Sequence, residues 1–98
     1  MGALQQAFAD GAQAIADFDP DLVIAFGSDH FNGCFLKTMP AFCVGINAKA
    51  CNDIGGFAGK LDVPEKSALE CVDYLRANDI DPTVSYAMTV AHAFSQTI

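Results

Sequence analysis

The sequence predicts an α/β fold: a partial, mostly parallel sheet flanked by helices, forming a fragment of a larger single domain. Three observations lead there. A helical apolar period near the start runs directly into a short, continuous, β-branched apolar run. Two more strand-like runs follow, with a helical stretch between them. Alternation of this kind stacks helices on a largely parallel sheet.

Leu4, Phe8, Gly11, Ile15 and Phe18 recur at three- and four-residue steps, which sets them on one face of a helix over Leu4–Phe18. Asp19-Pro20 ends it, because the residue before proline is pushed out of the helical region. Leu22-Val23-Ile24-Ala25-Phe26, closed by Gly27-Ser28, has the pattern of a strand buried on both faces, with the first helix packed on it. Asp29 to Ala41 connects it to the next strand and carries an Asn32-Gly33 turn signal and Met39-Pro40. Phe42 to Ile46 is the second strand candidate. Asn47 to Leu61, rich in Gly, Asn and Asp, reads as a long loop, and such loops in compact domains are often functional. Asp62-Val63-Pro64-Glu65 opens a second helix, with proline in its first turn and Asp62 and Glu65 spaced as a capping box. Ala68, Cys71, Val72 and Leu75 form its expected buried face, and Asn78-Asp79 marks its exit. Thr83 to Met88 is the third strand candidate.

Composition narrows the function classes. The 98 residues make at most one small domain. An apolar fraction of 52% with only 17% charged residues excludes a disordered chain and suggests apolar faces that expect more chain or another subunit. A net charge of −7 without any Lys/Arg cluster argues against nucleic-acid binding. The longest clean apolar run, Leu22 to Phe26, is too short to cross a bilayer. No basic n-region or apolar h-region opens the chain, and Gln6 stands where a myristoylation signal wants Ser or Thr. Cys34, Cys43, Cys51 and Cys71 include no C-x-x-C pair, so no structural zinc site is expected. Without an export signal, reduced thiols and a cytoplasmic location are the expectation.

Gly55-Gly56-Phe57-Ala58-Gly59-Lys60 imitates a phosphate loop and fails as one. Ile54 occupies the first glycine position, and Leu61 stands where Ser or Thr must meet magnesium. The two histidines hold more interest. His30 follows the first strand candidate, where open parallel sheets bind ligands; a neutral imidazole is a good iron or zinc ligand, and adjacent Asp29 can orient it. His92 follows the third strand candidate among small apolar neighbours that suit a poised acid/base group. An ordinary loop histidine and a plain buried histidine are the competing readings, and spacing alone does not bring the two together.

From Asp21 through Gly33 the sequence resembles the strand and Asp-His-x-Asn-Gly turn of the class III extradiol ring-cleavage dioxygenases of the 2,3-dihydroxyphenylpropionate type, in their N-terminal part. The likeness continues through Met39–Gly45, the Gly-rich loop, the Val63-Pro64 helix start, Val84–Met88 and Val90–Gln96. The resemblance implies a non-haem Fe(II) enzyme that opens a catechol ring with dioxygen, in the cytoplasm and as a homo-oligomer, without nucleic-acid or membrane partners. His30 would be one iron ligand, Asp29 a supporting group and His92 one of two acid/base histidines. The other iron ligands and the second acid/base histidine are expected outside residues 1–98, which would form an incomplete piece of the catalytic domain. Ala91 replaces the aspartate usual before the His92 equivalent. The alternative from another class is a non-catalytic α/β interaction module that has lost the iron site.

Overall fold

A computed structural model describes residues 2–31 and 33–95, Ser95 by its backbone alone. Asn32 of the expected Asn32-Gly33 turn, and Gln96, lie outside the described residues. The fold mixes helix and strand, with small sheets flanked by helices, and its strand pairing is only partly parallel.

The first helix, α1, spans Ala3–Phe18. Gln5 Oε1 accepts from the Gly2 N–H at 2.9 Å, and Gln6–Asp10 and Gln13–Asp17 pair across single turns at 2.7 Å. Asp19 stops the helix in a left-handed conformation (φ 48°), donating its N–H to Ile15 and Ala16 carbonyls. The apolar face forms as its period predicts, yet none of its residues is buried.

Leu22–Phe26 corrects the sequence reading. It forms no strand, and Ile24 and Phe26 are 69% and 93% exposed. Nor does α1 bury its face against it. An apolar run specifies burial but not a partner; a strand exists only where a neighbour supplies a ladder, and none among the described residues pairs with this run.

The sheets are built from two bent ribbons. β1 (Cys43–Gly45) continues past a bend at Ile46-Asn47 into β2 (Ala48–Cys51). After β3 (Ala58–Lys60) and α2 (Glu65–Ala77), β4 (Thr83–Ser85) continues past Tyr86-Ala87 into β5 (Met88–Val90). β1 pairs with β4 and β2 with β5, both parallel, and β3 pairs antiparallel on the outer side of β2. Two hydrogen bonds carry the parallel pairing across the bends, Ile46 N to Ser85 O at 3.0 Å and Met88 N to Asn47 O at 2.9 Å. Parallel neighbours require a crossover, which α2 supplies.

Three expectations change in consequence. The expected third strand, Thr83 to Met88, is two short strands in two sheets, broken at Tyr86-Ala87. The expected loop Asn47–Leu61 holds a β-hairpin, because Ala48 and Ala50 alternate with Lys49 and Cys51 as buried and exposed positions; small side chains conceal a strand period that larger ones would announce. Helix α2 starts at Glu65 with Pro64 as its cap residue and no side-chain capping bond, so Asp62 and Glu65 form no capping box. Its inner face is Ala68, Leu69, Val72 and Leu75, with Val72 1% exposed. Cys71 is exposed, since at 100° per residue it falls well to one side of that stripe.

The core is small. Ala48, Ala50 and Val90 form its centre, with Leu61, Val63, Met88 and Phe94 packed on them. Gly45 lies against Met88, whose Sδ is 2.7 Å from where a Cβ would stand. The radius of gyration, 15.0 Å, exceeds the roughly 13 Å of a compact chain of this length. Ile46, 2% exposed, should therefore matter where Ile24 does not. Ile46→Ala is expected to cost about 2–5 kcal/mol, as core truncations do. Ile24→Ala should change the stability of this chain by under about 0.5 kcal/mol, as surface changes do. Urea unfolding of the two variants beside the unaltered chain measures both.

Candidate active site

Parallel pairing of β2 with β5 sets the two carboxyl ends side by side, with Ala50 opposite Val90. Beyond those ends lie Asp53, on the hairpin tip, and His92, at the start of the short helix α3 (His92–Ser95). The register explains their meeting: each stands two or three residues past a paired position, on neighbouring strands running the same way. His92 Nδ1 lies 2.6 Å from Asp53 Oδ2, and the two side chains are 31% and 24% exposed. The His92 hydrogen bond holds the Asp53 carboxyl below the usual carboxylate range. With its folded pKa depressed, the pair is intact above the ordinary carboxylate range and is lost as pH falls through the lowered value.

His30 reaches the same point from the irregular segment before β1. Asp29 builds the turn that carries it, accepting from Gly33 N at 2.8 Å through Oδ1 and from Cys34 N at 3.0 Å through Oδ2. Phe31 takes a left-handed conformation (φ 60°), uncommon for an aromatic residue, and turns the chain directly after His30. Glycine lets this segment sit close to α3 and β5. A Cβ on Gly27 would come within 2.6 Å of the Phe94 ring, and one on Gly33 within 3.0 Å of the Thr89 carbonyl. Phe94 also packs on the core cluster, so one ring links segment and sheet.

The outcome is a chain of four side chains. His30 Nδ1 is 3.0 Å from His92 Nε2, with ring centroids 4.7 Å apart, and Ser28 Oγ is 3.2 Å from His30 Nε2. Residues next to the two histidines, Asp29, Phe31 and Ala91, line with Ser28 an apolar cleft of about 710 Å³ that Phe26 and Phe42 help to wall. That volume suits a small aromatic molecule. Cys43 also borders the cleft, as does Cys34, and burial raises the Cys43 thiol pKa. No disulfide forms among the described residues.

The three residues singled out in the sequence thus come together: His30 and His92 touch, and Asp29 holds the turn beneath His30. Sequence reasoning missed Asp53, which sits in a stretch read as loop, and Ser28 as a partner of His30. A strand period over Ala48–Cys51 was the signal that would have pointed to Asp53, and its small side chains make that period faint. Among the described residues no group of three His, Cys, Asp or Glu side chains is arranged to hold a metal ion. The donors fit an iron centre only as a contribution of one imidazole.

No family model matches the chain. Curated relatives do. It is 44% identical over 93 residues to a 2,3-dihydroxyphenylpropionate/2,3-dihydroxicinnamic acid 1,2-dioxygenase of Klebsiella pneumoniae subsp. pneumoniae, covering 95% of this chain and 30% of that protein. A protein of the same name from Paraburkholderia xenovorans is 45% identical over 84 residues, covering 86% and 27% respectively. Another, from Mycolicibacterium vanbaalenii, is 43% identical over 93 residues, covering 95% and 29%. The chain spans about 30% of the length of the curated relatives it matches. Along nearly all of its own length, and over that share of theirs, it is similar to the 2,3-dihydroxyphenylpropionate 1,2-dioxygenases.

Proposed function

We propose that residues 1–98 are an incomplete piece of the catalytic domain of a cytoplasmic, homo-oligomeric, non-haem Fe(II) extradiol dioxygenase that opens a catechol ring with dioxygen in aromatic catabolism. The substrate class is a catechol of the 2,3-dihydroxyphenylpropionate kind, as the relatives' names state for those proteins. The observation that carries the reading is the 3.0 Å contact between His30 and His92 beside an apolar cleft, two histidines 62 residues apart drawn to one point. In this reading His30 supplies one iron donor, Asp29 holds its turn, and His92 moves protons.

Each residue suits its role physically. A neutral His30 has one nitrogen lone pair to offer, and imidazole is a common ligand in facial two-histidine, one-carboxylate iron sites. Bound iron would supply a place for catechol and dioxygen to meet; its remaining donors are expected from outside this stretch. His92, an imidazole resting against the Asp53 carboxylate, is suited to accept a proton from a catechol hydroxyl and return it later. The cleft beside the pair offers an apolar wall to the ring.

A second reading draws on a different observation. Leu4, Phe8, Ile15 and Phe18 of α1 and Leu22 to Ile24 are exposed, which fits a module that binds a partner. The same exposure fits a piece whose apolar faces are covered by the rest of a longer protein. Iron content and turnover separate the two.

In a complete enzyme containing this stretch, His30→Ala is expected to abolish iron retention. His92→Ala should leave iron bound and slow ring cleavage by about 10²–10⁴-fold, the usual worth of positioned acid/base help. Metal analysis after anaerobic preparation, beside the ring-cleavage rate, checks both; full iron occupancy in His30→Ala would remove its ligand role. The 98-residue chain alone should retain no Fe(II) after desalting and should not turn over catechols, because one imidazole does not make a facial site. Turnover by the isolated chain would show that the site is built in some other way.

A further inference from the structure

We propose that Asp53 is the positioning residue of this site: it sets the tautomer of His92 and, through His92, the direction of the whole hydrogen-bond chain ending at Ser28. The inference rests on the reading of His92 as an acid/base group and adds the group that governs which nitrogen carries the base.

The direction follows from what each atom can do. An ionised carboxylate only accepts, so His92 Nδ1 must carry the proton in the 2.6 Å contact with Asp53. In a neutral ring Nε2 is then the acceptor, so His30 donates from Nδ1 across the 3.0 Å contact. His30 Nε2 is left with its lone pair, and Ser28 donates its hydroxyl to it at 3.2 Å. One carboxylate thus determines the proton position on two rings. Reversing His92 to the Nε2–H tautomer would set a lone pair against the Asp53 oxygen and, with His30 as drawn, two N–H groups against each other.

The fold commits Asp53 to this place. Asn52 takes a left-handed conformation (φ 53°) and Gly55 and Gly56 follow with φ of 85° and 116°, turning the hairpin tip beyond the end of β5. The neighbour before His92 is Ala91, which has no polar side chain, so the carboxylate comes across the sheet rather than along the chain.

Imidazole 15N resonances of the histidine-labelled 98-residue chain, read at a pH where both rings are neutral, test this without turnover. The unaltered chain should show His92 and His30 both as Nδ1–H tautomers. Asp53→Ala should move His92 to predominantly Nε2–H and shift His30 with it, and Asp53→Glu should restore the original pattern. A His92 that is already Nε2–H in the unaltered chain overturns the proposal even if no variant folds, and so does an Asp53→Ala chain with unchanged tautomers. Should the tautomers move as expected while His92→Ala keeps full ring-cleavage activity in the complete enzyme, the positioning by Asp53 stands and the acid/base role falls. Unmoved tautomers beside a crippled His92→Ala enzyme overturn the positioning by Asp53 and leave the acid/base role standing.

Discussion

The site depends on one constraint, the parallel pairing of the ribbon Cys43–Cys51 with the ribbon Thr83–Val90. Parallel strands point their carboxyl ends the same way, so whatever follows them is delivered to one edge. Ala50 opposite Val90 places the Asp53 hairpin tip beside the start of α3, and no other long-range element is needed to bring Asp53 to His92. The crossover through α2 makes the pairing possible, and Val72, buried beneath it, ties helix to sheet.

His30 arrives by different means. Its segment forms no strand among the described residues, and side-chain and steric devices hold it: the two backbone N–H groups gathered by Asp29, the left-handed turn at Phe31, and the close approach that Gly27 and Gly33 permit. Phe94 is the common element, packed on the Ala48–Ala50–Val90 cluster on one side and against Gly27 on the other. One half of the site, Asp53 and His92, is thus carried by paired strands, and the other, His30, by a pinned loop.

The surplus of apolar surface follows from the same arrangement. Among the described residues six apolar side chains are buried, three of them alanine, which is a small core. The apolar stripe of α1 and the Leu22–Phe26 run are written in the sequence for burial and have no cover among the described residues. The chain spans about 30% of the length of the curated relatives it matches.

Local physics was readable from the sequence. The period of Leu4, Phe8, Ile15 and Phe18 determined a helix, Asp19-Pro20 its end, Val72 and Leu75 an inner face, and Phe42–Ile46 a strand. The histidines were recognisable because His30 and His92 sit in residue patterns that survive without any structure. The tertiary fold alone decided the rest. Whether Leu22–Phe26 becomes a strand depends on a neighbour, which no local pattern specifies. Thr83–Val90 divides between two sheets because its partner ribbon bends at Ile46-Asn47. Asp53 finds His92 because strand register, a relation between residues 39 apart, sets which atoms meet. Hydrogen-bond partners across such distances are chosen by pairing and packing, and those interactions do not exist until the chain has folded.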